Sequence, residues 1–92
     1  MQKVIVAQVA IRKGKESKFL ELAEEMVKIS NSEIGCITYR LHKDLFNDGN
    51  YLFYEEYVDS SAVDIHNNSS HFHQFIKDIT PLITKTPIIN IY

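Results

Sequence analysis

The chain opens with an almost uninterrupted run of apolar residues, Lys3 to Ile11 (KVIVAQVAI). β-Branched residues dominate this run and Arg12-Lys13-Gly14 follows it, a combination that predicts a β-strand. Because apolar residues occupy both alternating sets of positions, we expect the strand to lie in the centre of its sheet. Gln8 is the one polar residue in the middle, and it either bonds within the sheet or donates a hydrogen bond into a binding site.

From Lys15 to Ser30 the apolar residues recur every three or four positions, which predicts an amphipathic helix. Glutamates and a lysine occupy the opposite side, as on a solvent-exposed helix face. The segment Asn31 to Gly35 ends the helix. The predicted buried stripe of this helix consists of Phe19, Leu22, Ala23, Met26, Val27 and Ser30.

Two alternating segments follow, Cys36 to Lys43 and Asn50 to Val58. The turn sequence Asn47-Asp48-Gly49-Asn50 between them favours a hairpin, because Asp-Gly tolerates the positive φ that tight turns require. We therefore expect two antiparallel strands. In the first, Ile37, Tyr39 and Leu41 share one face, and Cys36, Thr38, Arg40 and His42 share the other. In the second, Tyr51, Phe53, Glu55 and Tyr57 face away from Leu52, Tyr54, Glu56 and Val58.

The remaining chain predicts two short helices and a last strand. Asp59 or Ser60 can cap a helix from Ser61 to His66, and Ser69 or Ser70 can cap a second from His71 to Leu82, with Pro81 near its end. The polar break Asn67 to Ser70 separates them, and Ile88 to Tyr92 forms the strand. The order β-α-β-β-α-β predicts one α+β domain over residues 1–92. It has a ferredoxin-like antiparallel sheet, helices on one face and a broken second helix.

Length and charge narrow the classes of partner. A 92-residue chain buries only about 60–65% of its unfolded surface, which favours a dimer. The apolar face carrying Leu52, Tyr54 and Val58, opposite the helices, is the expected homodimer interface. A net charge of −2 and dispersed basic residues favour neither nucleic acid nor an anionic membrane. The single cysteine, Cys36, excludes an internal disulfide and suits a reducing, cytoplasmic location.

Several motifs together resemble the antibiotic biosynthesis monooxygenase domain family. They are Gly35-Cys36 with Tyr39, Phe53-Tyr54-Glu55-x-Tyr57-x-Asp59, Ala62, His66 and Ser70-His71-Phe72. The pattern is most similar to the quinol monooxygenase branch and to the branch of isomerases that process a phosphorylated quorum-sensing signal. The resemblance implies a dimeric α+β barrel with the ligand between the sheet and the broken helix. Ala7, Tyr57 and Ile76 depart from the haem-degrading members, so haem degradation is not expected.

Within that resemblance, the candidate catalytic residues are His66, His71 and Glu55. A histidine near neutrality exchanges a proton at little cost, and a carboxyl group in an apolar site can hold its proton near pH 7. The candidate substrate-binding residues can stack on a flat ring or donate hydrogen bonds to it. They are Tyr39, Phe53, Tyr57, Phe72 and Gln8.

No metal or other cofactor is expected. On a helix the rings of His71 and His73 point about 200° apart and cannot chelate one ion together. His66 and His71 could converge across the break, but no cysteine or carboxylate pattern accompanies them in the sequence. The chain also contains no glycine-rich loop of the kind that binds nucleotide phosphates.

These residues suit the deprotonation of a phenol, a hydroquinone or a carbon beside a carbonyl. The first hypothesis is a cofactor-independent monooxygenase that acts on a small aromatic or quinol-type substrate through direct reaction with O₂. Two alternatives remain open at this stage: an isomerase that enolises a small carbonyl compound, and a dimeric domain that binds a small ligand without turnover.

Overall fold

The computed structural model describes residues 1–92 and contains one four-stranded antiparallel sheet in the order β2-β3-β1-β4. This architecture confirms the predicted α+β ferredoxin-like fold and the central position of the first strand. A 3₁₀ turn, Thr80–Leu82, follows the last helix. The elements are β1 (Lys3–Ala10), α1 (Glu16–Asn31), β2 (Cys36–Lys43), β3 (Asn50–Tyr57), α2 (Ser60–Asn67), α3 (Ser70–Ile79) and β4 (Ile88–Ile91).

The main core lies between one face of the sheet and helices α1 and α3. Phe19, Ala23, Met26 and Ser30 of α1 are buried, as the spacing predicts. The ring of Phe19 lies 4.9 Å from that of Tyr51, centre to centre, and aromatic contacts of this kind continue across the sheet. Val9 of β1 and Tyr51 and Phe53 of β3 belong to this main core. A second, smaller buried cluster consists of Ile5, Tyr57, Ala62 and Val63.

The local signals at the ends of the elements are largely confirmed. Asp59 caps α2 by accepting the amide of Ala62 at 2.9 Å, and Ser69 caps α3 by accepting the amide of Phe72 at 3.3 Å. Gly49 has φ of 83° in the β2–β3 hairpin, the conformation that the Asp-Gly pair predicts. Several predicted boundaries differ slightly from the structure, and the largest difference is at the end of α3. Helix α3 ends at Ile79 instead of Leu82, because Pro81 lacks the amide that an α-helix needs and the chain tightens to a 3₁₀ turn.

Cys36 lies on the opposite face of β2 from the predicted one. A register shift between Cys36 and Thr38 places Cys36 opposite Tyr57, so its side chain packs against both buried clusters on the helix side. Burial raises the pKa of the Cys36 thiol to about 11, with Glu33 and Glu55 adding to the effect. The thiol is therefore protonated near neutral pH and serves as a small packing group.

The face of the sheet opposite the helices, here called the open face, carries the even-numbered side chains of β1 and β3. Val4, Val6, Leu52 and Tyr54 lie on it and are half-buried. Strand β3 ends at Tyr57, so Val58, predicted as its last residue, lies just outside it. The amide of Val58 donates to the carbonyl of Gly35 at 2.9 Å. None of the helices combines the length and the apolar composition that crossing a bilayer requires.

Candidate functional site

Strand β3 supplies the centre of the site. Its alternation places Tyr51, Phe53, Glu55 and Tyr57 on the helix side, and all four side chains are buried. Three of these side chains are aromatic and the fourth is a carboxyl group. A carboxyl group in such surroundings loses most of its hydration, which changes its acid–base chemistry.

Glu55 is the ionisable group at the centre of this row. It is 5% exposed, and the hydroxyl of Tyr57 donates to its Oε1 at 2.8 Å. Burial raises the pKa of Glu55 to about 7; the bond from Tyr57 opposes that rise and the charge of Glu33 adds to it. Burial also raises the pKa values of Tyr39 and Tyr57, so both phenols stay protonated and can donate hydrogen bonds. Glu55 can therefore gain or lose a proton near neutral pH.

The break between α2 and α3 brings two histidines together. The hydroxyl of Ser69 donates to the carbonyl of His66 at 2.6 Å and also caps α3, so the short connection is fixed at both ends. His66 lies in the last turn of α2 and His71 in the first turn of α3. Their ring centres are 5.8 Å apart. The break therefore presents two imidazoles to the same small volume, a convergence that the sequence left possible.

Glu33, which the sequence reasoning missed, joins these histidines. Its Oε1 lies 2.9 Å from Nδ1 of His66 and its Oε2 lies 2.9 Å from Nε2 of His71. The expectation that no carboxylate accompanies the two histidines was wrong. Glu33 comes from the turn between α1 and β2, and no local pattern links that turn to a helix break 33 residues later.

Gly35 explains how the turn comes so close to α2. A Cβ atom at this position would lie 2.4 Å from the Cβ of Ala62, so no side chain fits there. The carbonyl of Gly35 also accepts the amide of Val58. The Gly35-Cys36 and Ala62 motif positions, read together as a site of close backbone approach, are the one sequence signal that could have directed attention to Glu33.

His66 is the most enclosed of these groups. It is 1% exposed and its ring contacts the rings of Tyr39, Tyr57 and Phe72 at centre distances of 5.5, 5.5 and 5.2 Å. Burial lowers the pKa of His66, and Glu33 opposes that effect. In the neutral ring Nδ1–H donates to Glu33, which leaves the lone pair on Nε2. That atom is buried and has no hydrogen-bond partner.

A cleft of about 410 Å³ lies on the helix side of the sheet, next to these groups. Glu55, Tyr39 and Asn67 are its polar contributors, and no lysine, arginine or histidine lines it. The volume falls in the range of small-molecule sites, and the apolar walls with a few convergent polar groups are typical of them. Its apolar walls are formed by Ile5, Ala7, Val9, Phe53, Phe72, Phe75, Ile76, Ile79, Pro87, Ile89 and Ile91.

The sequence-predicted site residues divide into three groups. Tyr39, Phe53, Glu55 and Phe72 line the cleft. Tyr57 and His66 lie directly behind them: Tyr57 bonds to Glu55, and the ring of His66 contacts those of Tyr39 and Phe72. His71 is one step further away, and its ring contacts that of His66. Gln8 is exposed on the open face, where it borders a separate hollow of about 280 Å³ with His42 and Lys85. Asn67 is a cleft residue that the sequence reasoning did not select.

The histidine pair and Glu33 are also the residues that could hold a metal ion. One ligand atom from each of the three lies within 4.8 Å of the others. Two imidazole nitrogens and a carboxylate form a donor set that several transition metals accept. Nδ1 of His66 and Nε2 of His71 already lie within hydrogen-bond distance of the Glu33 carboxylate. Such an arrangement is also that of a polar cluster whose members bond to one another.

Comparison with known proteins identifies the family of this chain. Residues 3–78 match the model of the family described as antibiotic biosynthesis monooxygenase. A crystal structure of an antibiotic biosynthesis monooxygenase superposes with a TM-score of 0.92 at 30% identity, covering 100% of this chain and 96% of that one. A conserved protein from Methanosarcina mazei superposes with a TM-score of 0.96 at 27% identity, covering 100% and 91%.

Among sequence relatives, an uncharacterised protein of Synechocystis is 30% identical over 97% of this chain. The chain spans 60% of the length of that relative. Activities and partners of the longer protein are therefore a separate question from those of the domain described above.

Proposed function

Since the chain belongs to the antibiotic biosynthesis monooxygenase family, we propose that it is a monooxygenase that acts on a small aromatic or quinol-type substrate without a flavin or metal. The observation that carries the proposal is Glu55, a buried carboxyl group with a pKa of about 7 at the wall of an apolar cleft. A base with that pKa is matched to proton abstraction near neutral pH.

The reaction that suits this site begins with transfer of a proton from the substrate to Glu55. Loss of a proton from a phenol or from an activated ring carbon leaves an electron-rich anion, which reduces O₂ as a carbon–oxygen bond forms. Protonation gives a hydroperoxide, and where the carbon that bears it still carries a hydrogen the loss of water leaves a carbonyl. One oxygen atom then enters the product and the other leaves as water, so O₂ is the only oxidant required.

Tyr39 and Tyr57 have distinct proposed roles. The hydroxyl of Tyr57 donates to Glu55 and holds that carboxyl group in one orientation. Tyr39 lines the cleft beside Glu55, where its ring can stack on a flat substrate. Phe53 and Phe72 supply the other aromatic walls. Substrate fixed between such walls reacts faster because its reacting atoms are already aligned with the base.

For His66 we propose an orienting role from behind the cleft wall, through its contacts with Tyr39 and Phe72. For His71 we propose a supporting role through Glu33, which contacts both histidines. The role of Gln8 in substrate binding stays a prediction; Gln8 lies on the open face, away from the cleft. We also propose that two copies pair through the open face, because its half-buried Val4, Val6, Leu52 and Tyr54 would lose contact with water there.

The composition of the cleft argues against the alternative of an isomerase that enolises a phosphorylated compound. The isomerase branch that the sequence resembles handles a phosphorylated signal, and a phosphate calls for arginine, lysine or backbone amides. No basic residue lines this cleft, and Glu55 would repel an anion. The cleft therefore favours an uncharged, largely apolar substrate.

The test is oxygen consumption with a panel of hydroquinones and anthrones, comparing wild type with Glu55→Gln and Glu56→Gln. Glu56 is the adjacent residue on the opposite face of the same strand and serves as the matched control. We expect uptake by wild type and Glu56→Gln and a loss of at least about 100-fold in Glu55→Gln. No uptake above buffer with any compound would overturn the proposal.

An anaerobic arm separates the alternatives. Exchange of a substrate C–H for deuterium without oxygen, with a compound that shows no oxygen uptake in air, would indicate proton abstraction alone and so favour an isomerase. Tight capture of unaltered compound with neither exchange nor uptake would favour a binding domain.

A further inference from the structure

The helix layer does not extend over β4. Ile89 and Ile91 lie opposite Ala7 and Ile5 of β1, whose side chains face the helices. Ile89 is nevertheless 57% exposed and Ile91 is 60% exposed. The helix side of this edge strand is thus an uncovered apolar surface.

This surface continues into the cleft beside Glu55. The same cleft that reaches Glu55 and Tyr39, which are 5% and 3% exposed, also reaches Ile89 and Ile91. Ile76 of α3, 40% exposed, borders it as well. The cleft therefore has a buried end with hydrogen-bonding groups and an outer end made of exposed isoleucines.

A ligand that matches both ends must be amphiphilic. A small polar ring alone would leave the isoleucines in water, and a purely aliphatic molecule would leave Glu55 and Tyr39 without partners. Since no cation lines the cleft, a negatively charged head group such as a fatty-acid carboxylate is disfavoured. A neutral hydroxyl that can donate to Glu55 fits the buried end.

We propose that the outer end of the cleft binds the aliphatic tail of a phenol or hydroquinone whose ring hydroxyl lies at Glu55. The position of the head group rests on the proposed function, whereas the tail site rests on the exposed isoleucines. A dimer through the open face leaves this region free, because the cleft lies on the other side of the sheet.

The experiment measures binding of a 4-alkylphenol series, from phenol to 4-hexylphenol, by calorimetry without oxygen and below the concentration at which the compounds aggregate. Each buried methylene contributes about 0.8 kcal/mol, which corresponds to about a fourfold fall in Kd. We expect that slope until the tail extends past the isoleucines. Ile89→Ser and Ile91→Ser should flatten the slope, so that they weaken the binding of 4-hexylphenol more than that of phenol.

Ile65→Ser is the matched control, since Ile65 is a 68% exposed isoleucine of α2 that does not line the cleft. It should keep the full slope. Affinity that does not change with chain length, or an equal loss of slope in Ile65→Ser, would overturn the tail site. So would dissociation of a dimer by Ile89→Ser, because a second copy would then be what covers this surface.

The outcomes for the tail site and for the proposed function are separable. A steep chain-length dependence without any oxygen uptake would support the tail site and reject the monooxygenase. Uptake with simple hydroquinones and a flat chain-length series would support the monooxygenase and reject the tail site. Glu55→Gln should weaken short and long phenols by the same factor, which distinguishes the head position from the tail position.

Discussion

Glu55 and Glu56 are adjacent in β3 but lie on opposite faces of the sheet, and their surroundings differ. Glu55 is 5% exposed, accepts a hydrogen bond from Tyr57 and lines an apolar cleft. Glu56 is only half-buried on the open face. The same contrast separates Phe53 from Leu52. The face of the strand, more than the residue type, therefore decides whether a side chain takes part in the site.

The largest expected difference between the faces concerns Phe53. Its ring is 3% exposed and lies 5.8 Å from that of Phe75 and 5.7 Å from that of Tyr39. Phe53→Ala should lower the free energy of unfolding by about 3–5 kcal/mol, because it leaves a cavity in the core. Leu52→Ala should cost clearly less. Urea unfolding of both at two protein concentrations checks this; equal losses would contradict the distinction between the faces.

The next effect is the pH dependence of stability from Glu55. Its pKa is about 7 in the fold against an ordinary value of 4.5, so between these values the folded chain holds a proton that the unfolded chain has lost. Stability should therefore fall as pH rises through this window, by up to about 3 kcal/mol. Glu55→Gln should remove that fall and Glu56→Gln should retain it. Thermal unfolding from pH 4 to pH 8 measures the difference, and parallel curves for the two variants would count against it.

A third effect concerns Glu33 and the state of His66. Removing the carboxylate leaves the buried Nδ1–H of His66 without an acceptor, so Glu33→Ala should cost about 1–3 kcal/mol. Imidazole ¹⁵N NMR should show Nδ1 protonated in wild type and lose that preference in Glu33→Ala. Glu33→Gln should restore it in part. Glu24→Ala, at the exposed Glu24–Lys28 pair, is the control and should change neither quantity.

Substitutions on the open face should have the smallest effect on the stability of the single chain. Their effect on dimer formation should be large. Leu52→Lys should change the stability of the single chain by about 1 kcal/mol or less. Sedimentation should give about twice the chain mass of 10.7 kDa for wild type and the single-chain mass for the variant. Ile65→Lys is the matched control and should not alter the mass. A wild type that sediments as a single chain would exclude the dimer.

Local patterns in the sequence determined most of the fold. A two-residue alternation shows which side chains of β3 share a face, and spacings of three and four show which side of α1 is buried. Asp59, Ser69 and Gly49 each act within a few residues of their own position, so their roles follow from neighbours in the chain. The errors in the predicted elements were also local: the register shift at Cys36, the end of β3 before Val58 and the end of α3 at Pro81.

The candidate site was determined only in part by such patterns. The alternation of β3 and the polar break, together with the family resemblance, led to the selection of Glu55, His66 and His71. Only the tertiary structure brings Glu33 to the two histidines, because Gly35 lets the α1–β2 turn approach α2 across a separation that leaves no periodic trace. It also decided that Gln8 faces away from the cleft, and that β4 extends beyond the helices. Neighbours along the chain set the faces of each element; which elements lie against each other is settled by packing among distant residues.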